Sequence, residues 1–265
     1  MNPIVFAVLL LAGLGLVAGL ILAIASILMA VPKDEKAEAL CQLLPGVNCG
    51  ACGYSGCAGY ADAMANHGAK VGLCSPGGET VAKATGELLG VSGEVERLTA
   101  VVHCGGCEEF TARKLEYHGL QSCRAATQFY GGDWLCNYGC LGYGDCVSAC
   151  EYGAVSVENG LARVDASLCR GCTKCVAACP RKLIVMTGGG TRGVVCCSNH
   201  DKGAKTRAAC KVGCIGCGKC VKVCEHDAVQ VTNCLSAIDP EKCVGCGKCV
   251  EVCPMHCITL FGCTT

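Results

Sequence analysis

Aromatic side chains are scarce in this chain: they make up 5% of 265 residues, with a single tryptophan. Small soluble domains so poor in large rings cannot rely on aromatic cores and are usually stapled by disulfides or metal. An excess of charge of one sign is missing too. Twenty-two basic residues balance 22 acidic ones, and no basic stripe or aromatic platform appears, so nothing points to nucleic acid. No acid–base constellation is visible, and no GxGxxG fingerprint falls on a strand–helix unit. The chain is therefore expected to bind neither flavin nor NAD itself.

Residues 4–31 carry no charge at all and are rich in Leu, Ile, Val, Ala and Gly. As a helix this stretch spans ~42 Å at ~1.5 Å per residue, more than the ~30 Å hydrocarbon core of a bilayer. A secretory signal would want a basic leader and a shorter apolar core, and Met1-Asn2-Pro3 offers no basic side chain. Lys33 and Lys36 follow the stretch, which places the N-terminus outside and the rest of the chain on the cytoplasmic side of the inner membrane, as a single-pass protein. Gly15 and Gly19 form a GxxxG pair, readable either as a close-packing face for another membrane helix or as part of a plain glycine-rich anchor. With no ionisable residue in the span, this chain alone offers no intramembrane ion relay.

What the chain has in abundance is cysteine, 30 in all. Disulfides would require an oxidising compartment, against the cytoplasmic placement above. Structural zinc sites commonly pair two CxxC knuckles across a spacer. Here Cys169, Cys172, Cys175 and Cys179, followed by Pro180, spell C-x2-C-x2-C-x3-C-P, and Cys243, Cys246, Cys249 and Cys253, followed by Pro254, repeat it 74 residues later. The same offset maps Cys140, Cys146 and Cys150 onto Cys214, Cys220 and Cys224. This internal duplication matches a pair of bacterial two-cluster ferredoxins, in which the fourth cysteine of each run ligates the other cluster.

The second copy thus assigns one [4Fe–4S] cluster to Cys214, Cys217, Cys220 and Cys253, and another to Cys224, Cys243, Cys246 and Cys249. In the first copy the equivalents are Cys150, Cys169, Cys172 and Cys175, and a set built on Cys140, Cys146 and Cys179. That last set departs from the pattern, because Tyr143 stands in register with Cys217. Cys136 is the expected replacement; a three-cysteine cluster is the alternative. Upstream, Cys49, Cys52, Cys57 and Cys74 form a separate single-cluster module, with a short helix over residues 57–67 returning the chain to Cys74.

An uncharged span, then LLPGVNCGACGYSGC, then Cys74 and tandem ferredoxin modules, resembles the B subunit of Rnf complexes, over essentially the whole chain. The resemblance implies an electron-transfer subunit of a membrane-bound ferredoxin:NAD⁺ oxidoreductase coupled to Na⁺ or H⁺ translocation. It implies reduced ferredoxin as electron donor, other Rnf membrane subunits and lipid as partners, and no nucleic acid. The other readings are a membrane-anchored polyferredoxin of another oxidoreductase or hydrogenase, an iron–sulfur redox sensor, and a zinc-scaffolded adaptor.

The expected architecture is α+β: a membrane anchor over 1–32, a single-cluster domain over 33–80, a connector over 81–134, and ferredoxin-like domains over 135–187 and 210–265. Residues 188–209, with Gly188-Gly189-Gly190, read as a flexible linker. Residues 154–165, turning at Asn159-Gly160, and 228–239, turning at Asn233-Cys234, each predict a β-hairpin. Cys104, Cys107 and Cys123 in the connector are read as buried free thiols, with a further cluster as the alternative. Cys197 and Cys210 are the second-copy counterparts of Cys123 and Cys136; Cys41, Cys196, Cys234, Cys257 and Cys263 receive no site. Arg113, Lys114 and Arg124 are scattered surface charges or a docking face for an acidic ferredoxin. Five cubanes in total predict about 20 iron and about 20 sulfide per chain.

Overall fold

The computed structural model of the chain describes residues 3–28, 34–92, 95, 98–188 and 190–261. Lys33, Gly189 and Cys263 lie outside them. Helix α1 (Pro3–Leu28) runs for 26 residues without a charge. Leu11, Leu14, Leu16 and Leu22 on it are all at least 66% exposed. Among the described residues no helix is by itself long and apolar enough to cross a membrane, the side chains of residues 5–10 and 26–28 falling outside that description.

A small α-helical module follows. Helix α2 (Glu35–Leu43) starts at Asp34, whose carboxylate accepts the N–H groups of Lys36 and Ala37 at 2.9 and 3.4 Å, a side-chain N-cap. Helix α3 (Cys57–Asn66) packs on it, and α4 (Gly78–Leu89) ends at the left-handed Gly90. Leu40, Leu44, Tyr60, Met64 and Val71 form the core. The buried Tyr60 hydroxyl donates to Lys70 O at 2.7 Å and accepts from Leu73 N–H at 3.2 Å, so both its donor and its acceptor are satisfied.

The first ferredoxin copy contains β1 (Thr99–Val102), α5 (Cys123–Thr127), α6 (Asp145–Ser148), β2 (Val155–Glu158), β3 (Leu161–Val164), α7 (Lys174–Ala178) and β4 (Ile184–Thr187). The hairpin β2–β3 forms about Asn159-Gly160, as its alternation predicts. Strand β1 lies within the expected connector yet pairs antiparallel with β4, Thr99 opposite Thr187 and Val102 opposite Ile184. The connector is thereby part of the first copy's body. Its extra segment packs around the single tryptophan: Trp134 is buried with Cys123, Ala126 and Leu141, donates Nε1–H to Leu141 O at 3.1 Å, and carries the Arg113 guanidinium 4.3 Å above its ring. Arg113 also pairs with Glu108 and Asp133, and Lys114 holds Tyr130 O and Asn137, so both serve this internal network.

The second copy repeats the plan with β5 (Arg192–Val195), α8 (Gly203–Ala209), α9 (Lys219–Lys222), β6 (Val229–Thr232), β7 (Leu235–Ile238), α10 (Lys248–Glu251) and β8 (Ile258–Phe261). Hairpin β6–β7 turns at Asn233-Cys234, and β5 pairs with β8. Residues expected in the linker are structured: Arg192 and Gly193 open β5. The repeat extends to ion pairs, Lys174–Glu151 in one copy and Lys248–Glu225 in the other.

Candidate iron–sulfur sites

Four glycines shape the cysteine loops. Gly142, Gly171, Gly216 and Gly245 are all left-handed, with φ of +77°, +67°, +64° and +70°. The backbone presses on each of them. A Cβ would stand 2.5 Å from Gly160 O at Gly142, 2.7 Å from Leu98 O at Gly171 and 2.7 Å from Cys234 O at Gly216, and would overlap Thr191 O at Gly245. A left-handed residue without a side chain lets each loop curl tightly enough to turn consecutive thiols to one side.

The thiols so presented surround voids. Cys224, Cys243, Cys246 and Cys249 line one small cavity, and Cys214, Cys217, Cys220 and Cys253 line another, each of about 20 Å³. Both sets are the ones the spacing predicts. The third cavity, also about 20 Å³, is lined by Cys123, Cys140, Cys146 and Cys179. Cys136, expected to complete this set, does not line it, whereas Cys123 does. The physical reason lies in Asp145. Its carboxylate accepts from Ser122 Oγ and from the N–H groups of Cys123 and Arg124, all at 3.0 Å, fixing the start of α5 against the cavity wall.

The remaining sets are seen through mutual electrostatics. Burial pushes the Cys175 thiol up to about 11, with Cys169, Cys172 and Cys150 adding to the rise. Burial likewise raises Cys74, with Cys57, Cys49 and Cys52 around it. Asn48 ties the loop of that module together, accepting Cys57 N–H at 2.8 Å and donating to Gly46 O at 3.2 Å. Among the described residues no three His, Cys, Asp or Glu side chains close on a single metal ion.

All-thiol donor sets facing a void suit a polynuclear iron–sulfur group, which takes four thiolates from different directions. The backbone supports this fit with N–H donors aimed at sulfur: Ala100 to Cys169 at 3.5 Å, and the equivalent Gly193 to Cys243 at 3.3 Å. Burial pushes Cys146 up to about 12, so ligation must displace a proton that the free thiol keeps at neutral pH. Hydrogen bonding from Cys257 instead holds Cys214 below the usual thiol range. Cys257 lies 3.6 Å from the sulfur of Cys253 and is replaced in the first copy by the buried Leu183, which marks it as a packing residue.

Three family models match the chain: a putative Fe–S cluster family over residues 44–76, a 4Fe–4S binding domain over 161–184 and a 4Fe–4S dicluster domain over 209–260. Among curated proteins, the chain is 41% identical to the B subunit of an ion-translocating oxidoreductase complex of Methanosarcina acetivorans, covering 88% of this chain and 89% of that one. It is 39% identical to the B subunit of the Na⁺-translocating ferredoxin:NAD⁺ oxidoreductase complex of Acetobacterium woodii, covering 98% and 78%. It is 36% identical to the B subunit of the proton-translocating ferredoxin:NAD⁺ oxidoreductase complex of Clostridium ljungdahlii, covering 90% and 85%.

Proposed function

The chain belongs to the B-subunit family of ion-translocating oxidoreductase complexes, and on that premise we propose that it is the electron-transfer subunit of an Rnf-type ferredoxin:NAD⁺ oxidoreductase, taking electrons from reduced ferredoxin. Its ligand sets are Cys49, Cys52, Cys57 and Cys74; Cys150, Cys169, Cys172 and Cys175; Cys123, Cys140, Cys146 and Cys179; Cys214, Cys217, Cys220 and Cys253; and Cys224, Cys243, Cys246 and Cys249. Bound [4Fe–4S] groups supply one-electron chemistry over a wide range of potentials. The protein holds them in a row.

The observation that carries this reading is the seam between modules. Cys49 of the first module lies close enough to Cys172 of the next to act on it electrostatically, and both act on Tyr152. Ser75, beside Cys74, abuts Gly171 within the next cysteine loop. The single-cluster module is thus docked against the first ferredoxin copy, ligand loop to ligand loop. The uncharged α1, with Lys33 and Lys36 beyond it, anchors this row to the cytoplasmic face of the membrane by a single crossing.

The test is anaerobic purification of the tagged chain, which is expected to require mild detergent. Flavin-bearing membrane partners and reduced-ferredoxin-to-NAD⁺ activity are expected, the activity disappearing in Cys172→Ser. Recovery with a hydrogenase and no NAD⁺ reduction would move the chain to an anchored polyferredoxin of another enzyme.

Arg181 adds a fixed charge to the row. Its guanidinium donates to Gly131 O and to Cys136 O (3.5 Å) and lies among Cys136, Cys104, Cys140 and Cys179. An arginine stays ionised even when burial lowers its pKa. A cation beside the ligands favours the reduced, more negative state. A unit charge ~7 Å away at an effective dielectric of ~20 contributes about 2.4 kcal/mol, or ~100 mV for one electron. Arg181→Gln is therefore expected to lower a midpoint potential by roughly 100 mV, read by EPR-monitored redox titration. Unchanged midpoints throughout would show the charge to be screened.

A further inference from the structure

Four cysteines left outside those five sets meet where the two ferredoxin copies touch. A Cβ built on Gly106 would stand 3.3 Å from Cys210 Sγ and 3.8 Å from Cys104 Sγ; one built on Gly139 would stand 3.5 Å from both Cys104 Sγ and Cys136 Sγ. The buried Asn199 spans the other side, its N–H to Cys197 Sγ at 3.4 Å and its side-chain amide to Cys136 Sγ at 3.6 Å. Cys136, Cys197 and Cys210 are buried and Cys104 is half-buried.

The four are two symmetric pairs. The 74-residue offset pairs Cys136 with Cys210, and it also pairs Cys123 with Cys197. The structure gives Cys197 a different counterpart. Val101-Val102-His103-Cys104 matches Val194-Val195-Cys196-Cys197 in place: His103 N–H reaches Leu183 O and Cys196 N–H reaches Cys257 O, each at 2.7 Å. Cys104 Sγ then accepts from Cys140 N–H at 3.3 Å, as Cys197 Sγ accepts from Cys214 N–H at 3.2 Å. Each copy therefore contributes one thiol from the end of its first strand and one from four residues before its first ferredoxin ligand.

We propose that Cys104 and Cys136 from the first copy, with Cys197 and Cys210 from the second, hold a sixth [4Fe–4S] cluster on the pseudo-twofold axis between the copies. Ligation forms four iron–thiolate bonds and releases four protons to solvent; the iron–sulfide core arrives preassembled, so no electron is consumed. The junction is held ready for it. Ser198 Oγ donates to His103 O at 2.9 Å, Thr111 Oγ1 to Ala209 O at 2.7 Å, and Lys211 N–H to Phe110 O at 2.9 Å. The site joins the two copies electrically, because Cys140 and Cys214, whose amides point at it, are themselves ligands of the neighbouring cluster on either side. Cys107 is also near Cys210, but the residue matching it in the second copy is His200, so it lies outside the symmetric set.

This inference rests on the iron–sulfur reading above, and its test separates the two. The full chain, purified anaerobically with its membrane partners, is expected to hold about 24 iron and about 24 acid-labile sulfide, six cubanes of four. Cys104→Ser/Cys210→Ser is expected to hold about 20 of each, as is Cys197→Ser alone, which covers the case of a misfolded double variant; Cys107→Ser should keep about 24. A parent at about 20, or counts that stay at the parental level in both ligand variants, overturns the sixth site and leaves the electron carrier standing. Zinc in place of iron overturns both.

Discussion

Cys123→Ser is expected to remove one cluster, about four iron and four sulfide per chain, and Tyr143→Cys in the same chain is expected to restore it. The two ferredoxin copies solve one problem in different ways. The second places Cys217 in the loop after Cys214, and it lines the cavity directly. The first has Tyr143 in that register, and its ring packs 5.6 Å from Tyr117 in the aromatic group supporting α5. In the proposed ligand set the missing thiol comes from outside the repeat, from Cys123 on the extra segment that Asp145 clamps. The residue matching Asp145 in the second copy is Lys219, so ligand and clamp occur together.

The backbone for the other solution survives, since Gly144 and Gly218 share the left-handed conformation beside the two positions, φ 82° and 70°. A new thiol at position 143 therefore enters a loop already built for one. Tyr143→Cys alone loses ring packing, a truncation of the kind that costs about 3–5 kcal/mol in a full core and less at this half-buried site. Iron and sulfide analysis of the two single variants and the double variant decides the matter. A double variant still lacking the cluster would mean that the first copy's loop has diverged from the second's. Cys136→Ser should also lose iron, but from the junction site, and Tyr143→Cys should not restore it.

The sequence was most legible where ligands are close neighbours. The two C-x2-C-x2-C-x3-C-P runs, the 74-residue repeat and both hairpins are local patterns, and the four-thiol cavities of the second copy follow them residue for residue. Legibility failed where a ligand or strand is recruited from far away. Thr99–Val102 is four residues in an apparent linker, and only its pairing with Ile184–Thr187 makes it a strand. Cys123 was hidden because its offset partner is Cys197, whereas the structural counterpart of Cys197 is Cys104. The separation Cys104–Cys136 is 32 positions and Cys197–Cys210 is 13, so an insertion breaks the constant offset and carries Cys123, the proposed substitute ligand, in with it. Tyr143 was the available signal: a ligand lost from one copy must be replaced from outside the repeat.

Gly245→Ala is expected to cost the chain a whole cluster, whereas Gly218→Ala is expected to keep every cluster. Both glycines have φ +70°, so both variants carry the same left-handed penalty, about 1–2 kcal/mol. The surroundings differ. Nothing lies within 4 Å of a Cβ at Gly218, while one at Gly245 would overlap Thr191 O and stand 2.8 Å from Thr191 C. That neighbour is backbone leading into β5, which is paired to β8 and donates Gly193 N–H to Cys243 Sγ. It cannot swing aside as a side chain does, so the loop must move instead. Cys243 and Cys246 flank Gly245, and their displacement breaks a geometry that needs four thiolates at once. The expected reading is a loss of about four iron in Gly245→Ala, with Gly218→Ala keeping the parental content and unfolding in anaerobic urea with a stability about 1–2 kcal/mol lower. Equal iron in the two variants would mean that the loop yields without losing its ligands, and the close approach at Gly245 would then be an accident of packing, not a requirement of the site.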